Sequence, residues 1–238
     1  MGFKEDLERD GVAVLEGVFS ADDIARAREQ VIAHQDLMSN TRELASSRHL
    51  AGFHRYPQLE PLHLMLTAEP EIQKSVRALC GDKVRTIGLS DITVNRSQQW
   101  HKDILRGKFR PLMGTDTPCA EHHGTLFKAI VYLQDSASLK VIPGSHTVDI
   151  SMDSDADAIP DGSIAVKAIN ARRGDVVLID ICTTHRGSRH EDFDPEEASV
   201  NPKILVSTVF GDGSSPFTQR MEAGNLSRLM DWMERNPA

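Results

Sequence analysis

The stretch GDVVLIDICTTHRG, Gly174–Gly187, reads as a buried β-strand with a histidine at its mouth. Gly174-Asp175 signals a turn, and Val176 to Ile181 is nearly unbroken apolar sequence. Thr184-His185-Arg186-Gly187 then sets a polar ring beside glycine, a setting that suits a site as well as a backbone-bonded turn. Outward from this strand, KVRTIGLSDITVN, TLFKAIVYLQD, SLKVIPGSH, IAVKAIN and KILVSTVFG are further β-rich runs separated by turn residues. Two helices precede them. Ser20 is a good N-cap, Asp22 and Asp23 suit a first turn, and Ile24, Ala27 and Val31 share one face, so a helix is expected over Ala21–Gln35. A second is expected over Ala68–Cys80, stopped by Gly81. Short strands after helices argue for a mainly β fold, an antiparallel sandwich or barrel with flanking α-helices.

Between the two helices, Asp36–Pro61 shows no period and carries Arg42, Arg48, His49, His54 and Arg55, as a lid or binding loop does. DSDADAIPDG, Asp153–Gly162, is the most acidic segment; it lacks the distal glutamate of a calcium loop and reads as a solvated loop. In the tail, Leu226, Leu229, Met230 and Met233 form a stripe expected to bury one face of a last helix. With no repeat or low-complexity linker, one domain is expected over residues 1–238: a helical part over about 1–82, a β core over about 83–212 and a helix over about 222–235.

Composition narrows the function. The chain has 238 residues, 39% hydrophobic, with a formal net charge of −8, which speaks against nucleic acid and anionic membranes as partners. Cys80, Cys119 and Cys182 are an odd set with no zinc spacing, read as reduced thiols. The N-terminus MGFKEDLERDG has no apolar core of a signal peptide, and Asp6 stands where myristoylation needs Ser or Thr; a cytoplasmic location is expected.

The chemistry gathers at Gln99–Asp103, QWHKD. In a strand, His101 and Asp103 would share a face, so an imidazole and a carboxylate could meet on one ion. The pair alone is weak evidence. An oxygen-activating iron site needs two histidines and one carboxylate with open positions left over, and His185, from a different strand, is the best third ligand.

RDGVAVLEGVFSADDI, WHKD, VYLQD with LKVIPGSH, RRGDVVLIDICTTHRG and KILVSTVFG follow one another in an order that resembles the phytanoyl-CoA dioxygenase-like family of Fe(II)/2-oxoglutarate-dependent oxygenases. The resemblance runs from about Glu8 to Gly211 and implies a double-stranded β-helix, a cupin-like jelly roll. It implies His101, Asp103 and His185 as metal ligands and catalytic centre, with His146 of VIPGSH a turn residue. It also implies Fe(II), 2-oxoglutarate and O2, hydroxylation of an aliphatic C–H bond, and release of succinate. Halogenases of this kind carry a small residue in place of the carboxylate, so Asp103 favours hydroxylation, desaturation or ring chemistry.

The family anchors the distal carboxylate of 2-oxoglutarate with an arginine. Lys203 stands at the matching place, a point charge instead of a fork, and the segment before it is longer than usual. Arg189 is the reserve anchor; Thr125, Tyr132 and Ser207 are candidate hydroxyl partners. The plain alternative for Lys203 is a solvated strand-end lysine. HKDILRGKFR bears Lys102, Arg106, Lys108 and Arg110 against Asp103, a cationic patch that would recruit a small anionic substrate or simply balance nearby acids. Arg55, His122 and His123 are further substrate candidates, and Glu121-His122-His123 is a rival metal cluster whose neighbours on a strand would point apart. Two other classes stay open: a cupin-like metal-dependent isomerase or epimerase, which needs no buried cation at Lys203, and a non-catalytic jelly-roll binding protein, which would not need all three ligands. Oligomeric state is not legible.

Overall fold

The computed structural model describes residues 2–41, 44–148 and 164–236. Its elements run α1 (Phe3–Asp10), β1 (Val12–Leu15), α2 (Ala21–Ala33), β2 (Ser39–Asn40), β3 (Arg48–Ala51), α3 (Glu60–Thr67), α4 (Pro70–Cys80), β4 (Val84–Thr86), β5 (Asp91–Val94) and α5 (Pro118–His122). There follow β6 (Leu126–Tyr132), β7 (Ser136–Val141), β8 (Lys167–Ala171), β9 (Val176–Asp180), β10 (His185–Arg186), α6 (Pro195–Val200), β11 (Ile204–Asp212) and α7 (Pro216–Arg235). Each of the six β-rich runs holds at least one strand. All pairings are antiparallel, in two sheets: an eight-stranded one, β1-β9-β6-β11-β5-β3-β2 with β4 beside β11, and a three-stranded one, β10-β7-β8. This is the antiparallel β fold with flanking helices that the order of elements implied, and the jelly roll that the family resemblance implied.

Strand alternation sets what faces the interior. Along β6, Lys128, Ile130 and Tyr132 look into the roll, while Phe127, Ala129 and Val131 pack against the helices. The inner layer joins Ile130 and Tyr132 to Leu139, Val141, Ile169 and Val177; the outer layer places Ile24, Phe53, Leu62, Ile72 and Val76 against Val131, Leu178 and Val206. Ser20 caps α2 as expected, its Oγ accepting from the Asp23 N–H at 3.2 Å.

Two expectations change. Besides β1, which falls in the β-prone run DGVAVLEGVF, the N-terminal part supplies β2 and β3 to the large sheet, so it is not simply helical, and it adds α1 and α3, which no clear period announced. Of the expected α7 stripe only Leu229 is buried: Leu226, Met230 and Met233 are exposed, and the buried face is Phe217, Met221, Asn225, Leu229 and Trp232. Asn225 donates to the Ile87 carbonyl at 3.1 Å and Trp232 joins the outer core, which fixes the rotation of the helix. The acidic segment Asp153–Gly162 lies outside the described residues.

Gly11 is required where it stands. Its φ is +75°, and an added Cβ would come within 2.3 Å of Thr183 Oγ1 and 2.7 Å of His146 Nδ1. This close approach lets Thr183 donate to the Gly11 carbonyl at 2.9 Å, tying the start of the chain to the segment that carries His185.

Candidate active site

His101 and His185 face each other in a two-residue bridge: each N–H donates to the other's carbonyl at 2.9 Å. Their ring centroids lie 4.2 Å apart. Lys102 continues the extended backbone, but Asp103 opens a 3-10 turn, so only one extended step, not a full strand, brings His101 and Asp103 to one side. Two straps hold this corner. Lys102 is buried, and its Nζ donates to the Ser145 and Cys182 carbonyls at 2.5 and 2.7 Å. Ser145, in the VIPGSH turn, accepts from the Thr184 N–H at 2.9 Å, and Ile142 N–H donates to the Thr184 carbonyl at 3.0 Å. Trp100 is buried beside the corner, with the Arg186 guanidinium 5.5 Å from its ring centre.

The two imidazoles are prepared alike. His101 Nδ1 donates to the Gln99 carbonyl at 2.7 Å, and His185 Nδ1 to the Thr183 carbonyl at 2.9 Å. A carbonyl only accepts, so Nδ1 carries a hydrogen in both rings, and in a neutral ring Nε2 keeps its lone pair. His101 Nε2 is buried, has no hydrogen-bond partner among the described residues, and lies 3.4 Å from Asp103 Oδ1. Burial, with His101 alongside, pushes His185 down to about 3, so its ring is neutral. Burial works against the Asp103 carboxylate, yet Lys128, His101 and His185 hold it well below the usual range. One ligand atom from each of His101, Asp103 and His185 lies within 4.8 Å of the others. Among the described residues no other such cluster forms, Glu121-His122-His123 included. Two imidazole nitrogens, one of them buried without a hydrogen-bond partner among the described residues, and one carboxylate fit a divalent metal of the iron(II) type, beside a cavity that Asp103 and His185 line.

The family model for phytanoyl-CoA dioxygenase (PhyH) matches residues 7–191. The chain belongs to the phytanoyl-CoA dioxygenase family. No curated protein matches it in sequence. Among solved structures it is similar to the epimerase SnoN in complex with Fe3+, alpha ketoglutarate and nogalamycin RO, at 19% identity and a TM-score of 0.64 over 89% of this chain and 83% of that one. HygX from Streptomyces hygroscopicus, with nickel, 2-oxoglutarate and hygromycin B bound, is 15% identical with a TM-score of 0.64 over 89% and 87%. EctD from S. alaskensis, with 2-oxoglutarate and 5-hydroxyectoine, is 21% identical with a TM-score of 0.62 over 89% and 76%. These likenesses show the fold; family and donor set agree on iron(II), 2-oxoglutarate and O2. The chain is thus an enzyme of the iron/2-oxoglutarate-dependent class. No helix among the described residues is long and apolar enough to cross a membrane.

The cavity beside the metal corner of this PhyH-family chain has a volume of about 710 Å³. Asp103, His185, Tyr132, Ser207, Arg106 and Lys108 line it, as does His49 from the loop read as a lid. Thr125, Lys203, Arg189, Arg110, Arg55, His122 and His123 do not. Arg189 is at the surface, paired with Glu191 at 2.8 Å and Asp192 at 3.2 Å, and so is no anchor for a buried carboxylate. Thr125 sits at the outer end of β6, its carbonyl accepting from Asp212. Arg110 is exposed. Arg55 lies against Tyr56 and Trp232 and donates to the Ala51 and Gly52 carbonyls. His122 stacks on Phe217 and His123 donates to the Cys119 carbonyl, because helix α5 turns them away from the cavity. Arg48 is held by the Ala45 and Ser47 carbonyls, and Arg42 lies outside the described residues.

Lys203, half-buried, lines not this cavity but a separate one, together with Ser138, Ser188 and Asp192. Its ammonium is 5.4 Å from the centre of the Tyr132 ring and donates to Ser188 Oγ at 2.6 Å and to Ser138 Oγ. No carboxylate pairs with it among the described residues, and burial lowers it to about 8. Burial likewise pushes Tyr132 up to about 12.

Several lining residues escaped sequence reasoning. Lys128 lines the cavity and lies 3.2 Å from Asp103 Oδ2; a lysine inside the apolar run LFKAIVY was its available signal. From α7 come Arg228, Asp231, Trp232 and Arg235, and from near β5 come Asp91, Thr93 and Arg96. Arg228 grips Asp91 at 2.8 and 3.0 Å, and His49 Nε2 lies 3.6 Å from the same carboxylate. Burial would raise Asp91, but Arg228 and His49 keep it well below the usual range.

Proposed function

We propose that this chain is an Fe(II)- and 2-oxoglutarate-dependent dioxygenase that hydroxylates an aliphatic C–H bond of a small, anionic metabolite or natural-product intermediate. The convergence of His101, Asp103 and His185, the last two lining the cavity, carries this reading. A metal held there with 2-oxoglutarate supplies the oxidising power, at the cost of decarboxylating 2-oxoglutarate to succinate.

The chain's own residues do the rest. His101 and His185 offer Nε2 lone pairs fixed by the carbonyls behind them, and Asp103 offers Oδ1. Lys203, whose ammonium bonds to hydroxyls and pairs with no carboxylate among the described residues, is the proposed anchor of the distal 2-oxoglutarate carboxylate, beside Tyr132. A carboxylate there would give the half-buried ammonium a close counter-charge. The substrate's anionic group meets a wall carrying Arg96, Arg106, Lys108, Arg228 and Arg235, against Asp91 and Asp231. One domain spanning residues 1–238 does all of this, since the loop carrying His49 and helix α7 both line the cavity. SnoN is described as an epimerase, so the product decides the outcome: hydroxylation adds one oxygen atom, and epimerisation adds none. The test is a screen of small anionic metabolites and acyl-thioesters with Fe(II), 2-oxoglutarate and air. Substrate-stimulated succinate and a product heavier by one oxygen are expected; no succinate from folded protein with any of them contradicts the proposal.

A further inference from the structure

Lys128 occupies an unusual place. It points inward from β6, its side chain is 14% exposed, and its Nζ lies 3.2 Å from Asp103 Oδ2. Its neighbours in register are apolar: Val209 on β11 and Ile179 on β9. Apolar strands therefore flank the stem, and Asp103 is the carboxylate at its end. Asp103 thus has two uses for its charge. Oδ1 turns toward His101 Nε2 and the metal corner, while Oδ2 is taken by the lysine.

We propose that Lys128 is a built-in rival and counter-cation to the metal, one that makes metal and 2-oxoglutarate depend on each other for binding. This rests on the iron/2-oxoglutarate reading of the site. A divalent ion arriving alone meets a carboxylate already neutralised by an ammonium, and the buried corner is left with two positive charges in excess. Like charges in a poorly solvated cavity repel strongly, so the ion alone binds weakly. The 2-oxoglutarate dianion removes that excess. The same ammonium then attracts the anion and ceases to oppose the metal. By linkage, whatever the dianion gains from the metal the metal gains from the dianion. A lysine that only braces Asp103 predicts the reverse for the ion alone, since losing a brace weakens a ligand.

The test is equilibrium binding of Mn(II), followed by loss of the free-ion electron paramagnetic resonance signal, without oxygen, with and without 2-oxoglutarate. Wild type, Lys128→Met and Lys128→Arg are compared. Lys128→Met is expected to bind Mn(II) alone roughly tenfold more tightly, and to lose most of the further tightening that 2-oxoglutarate gives wild type. Lys128→Arg, which keeps the charge, is expected to behave as wild type. Weaker or unchanged binding of Mn(II) alone by Lys128→Met, or an undiminished 2-oxoglutarate effect, overturns the proposal. If Lys128→Met does not fold, Lys128→Gln is read in the same way. Should wild type take up no Mn(II) even with 2-oxoglutarate, the metal-site reading itself fails; if wild type binds as expected and the variants do not differ, this inference alone fails.

Discussion

Replacing Lys203 with methionine keeps the stem and removes the ammonium. The structure sets the size of the effect. Burial takes the amine from an ordinary 10.5 to about 8, and at roughly 1.4 kcal/mol per pH unit the charged form is therefore about 3 kcal/mol less favourable than in water. A bound carboxylate that restored ordinary solvation would recover up to that amount, which corresponds to roughly 160-fold in affinity. Lys203→Met is accordingly expected to raise the dissociation constant of 2-oxoglutarate on the order of 100-fold, allowing for incomplete recovery. The assay is an anaerobic titration of the Fe(II) protein with 2-oxoglutarate, following the weak visible absorption of the chelate. Two controls come with it. The melting temperature should hold or rise, because a poorly solvated charge has been removed, and Mn(II) binding without 2-oxoglutarate should not change. The ammonium is the binding form, so wild-type affinity should be full below about pH 8 and fall as pH rises through that value, whereas the variant should be flat there. A folded variant whose affinity stays within about threefold of wild type refutes the assignment of Lys203.

Two further predictions concern the frame of the cavity. Arg228→Met strips Asp91 of its bidentate partner; each side chain is about one-fifth exposed, so the loss should be about 2–3 kcal/mol, below the ~3–5 kcal/mol of a fully buried pair. Because the Asp91 carboxyl is depressed, the pair's contribution is present above the ordinary carboxylate range and lost as pH falls through the lowered value; urea melts of the variant should show less of this acid dependence. Phe53→Ala empties a fully buried ring in the outer core, and denaturant titration should show a loss of about 3–5 kcal/mol with the metal corner intact.

The fold was legible where local chemistry and tertiary packing agree. The six β-rich runs alternate or stay apolar as sheet geometry demands, and Ser20 with Asp23 marks the start of α2. Asp36–Pro61 hid its strands because β2 and β3 hold two and four residues, too few for a period to show. On α7, two apolar stripes compete, and the choice between them depends on Trp232 and on the Ile87 carbonyl that Asn225 finds, both facts of tertiary contact. Within the site, His101, Asp103 and His185 were legible because their order matches the family. Lys128 and the arginines of α7 were not, since only folding brings them to the cavity. Arg189 illustrates the converse: four residues from His185, it is turned to solvent by Asp192, which caps the 3-10 turn that follows.

The most direct test of the central claim is the visible chelate absorption itself. With Fe(II) and 2-oxoglutarate added anaerobically, wild type should develop the band, and His101→Ala, Asp103→Ala and His185→Ala, each still folded by circular dichroism, should not. A folded wild type that shows no band, or variants that show it undiminished, would contradict the assignment of His101, Asp103 and His185 as the metal centre.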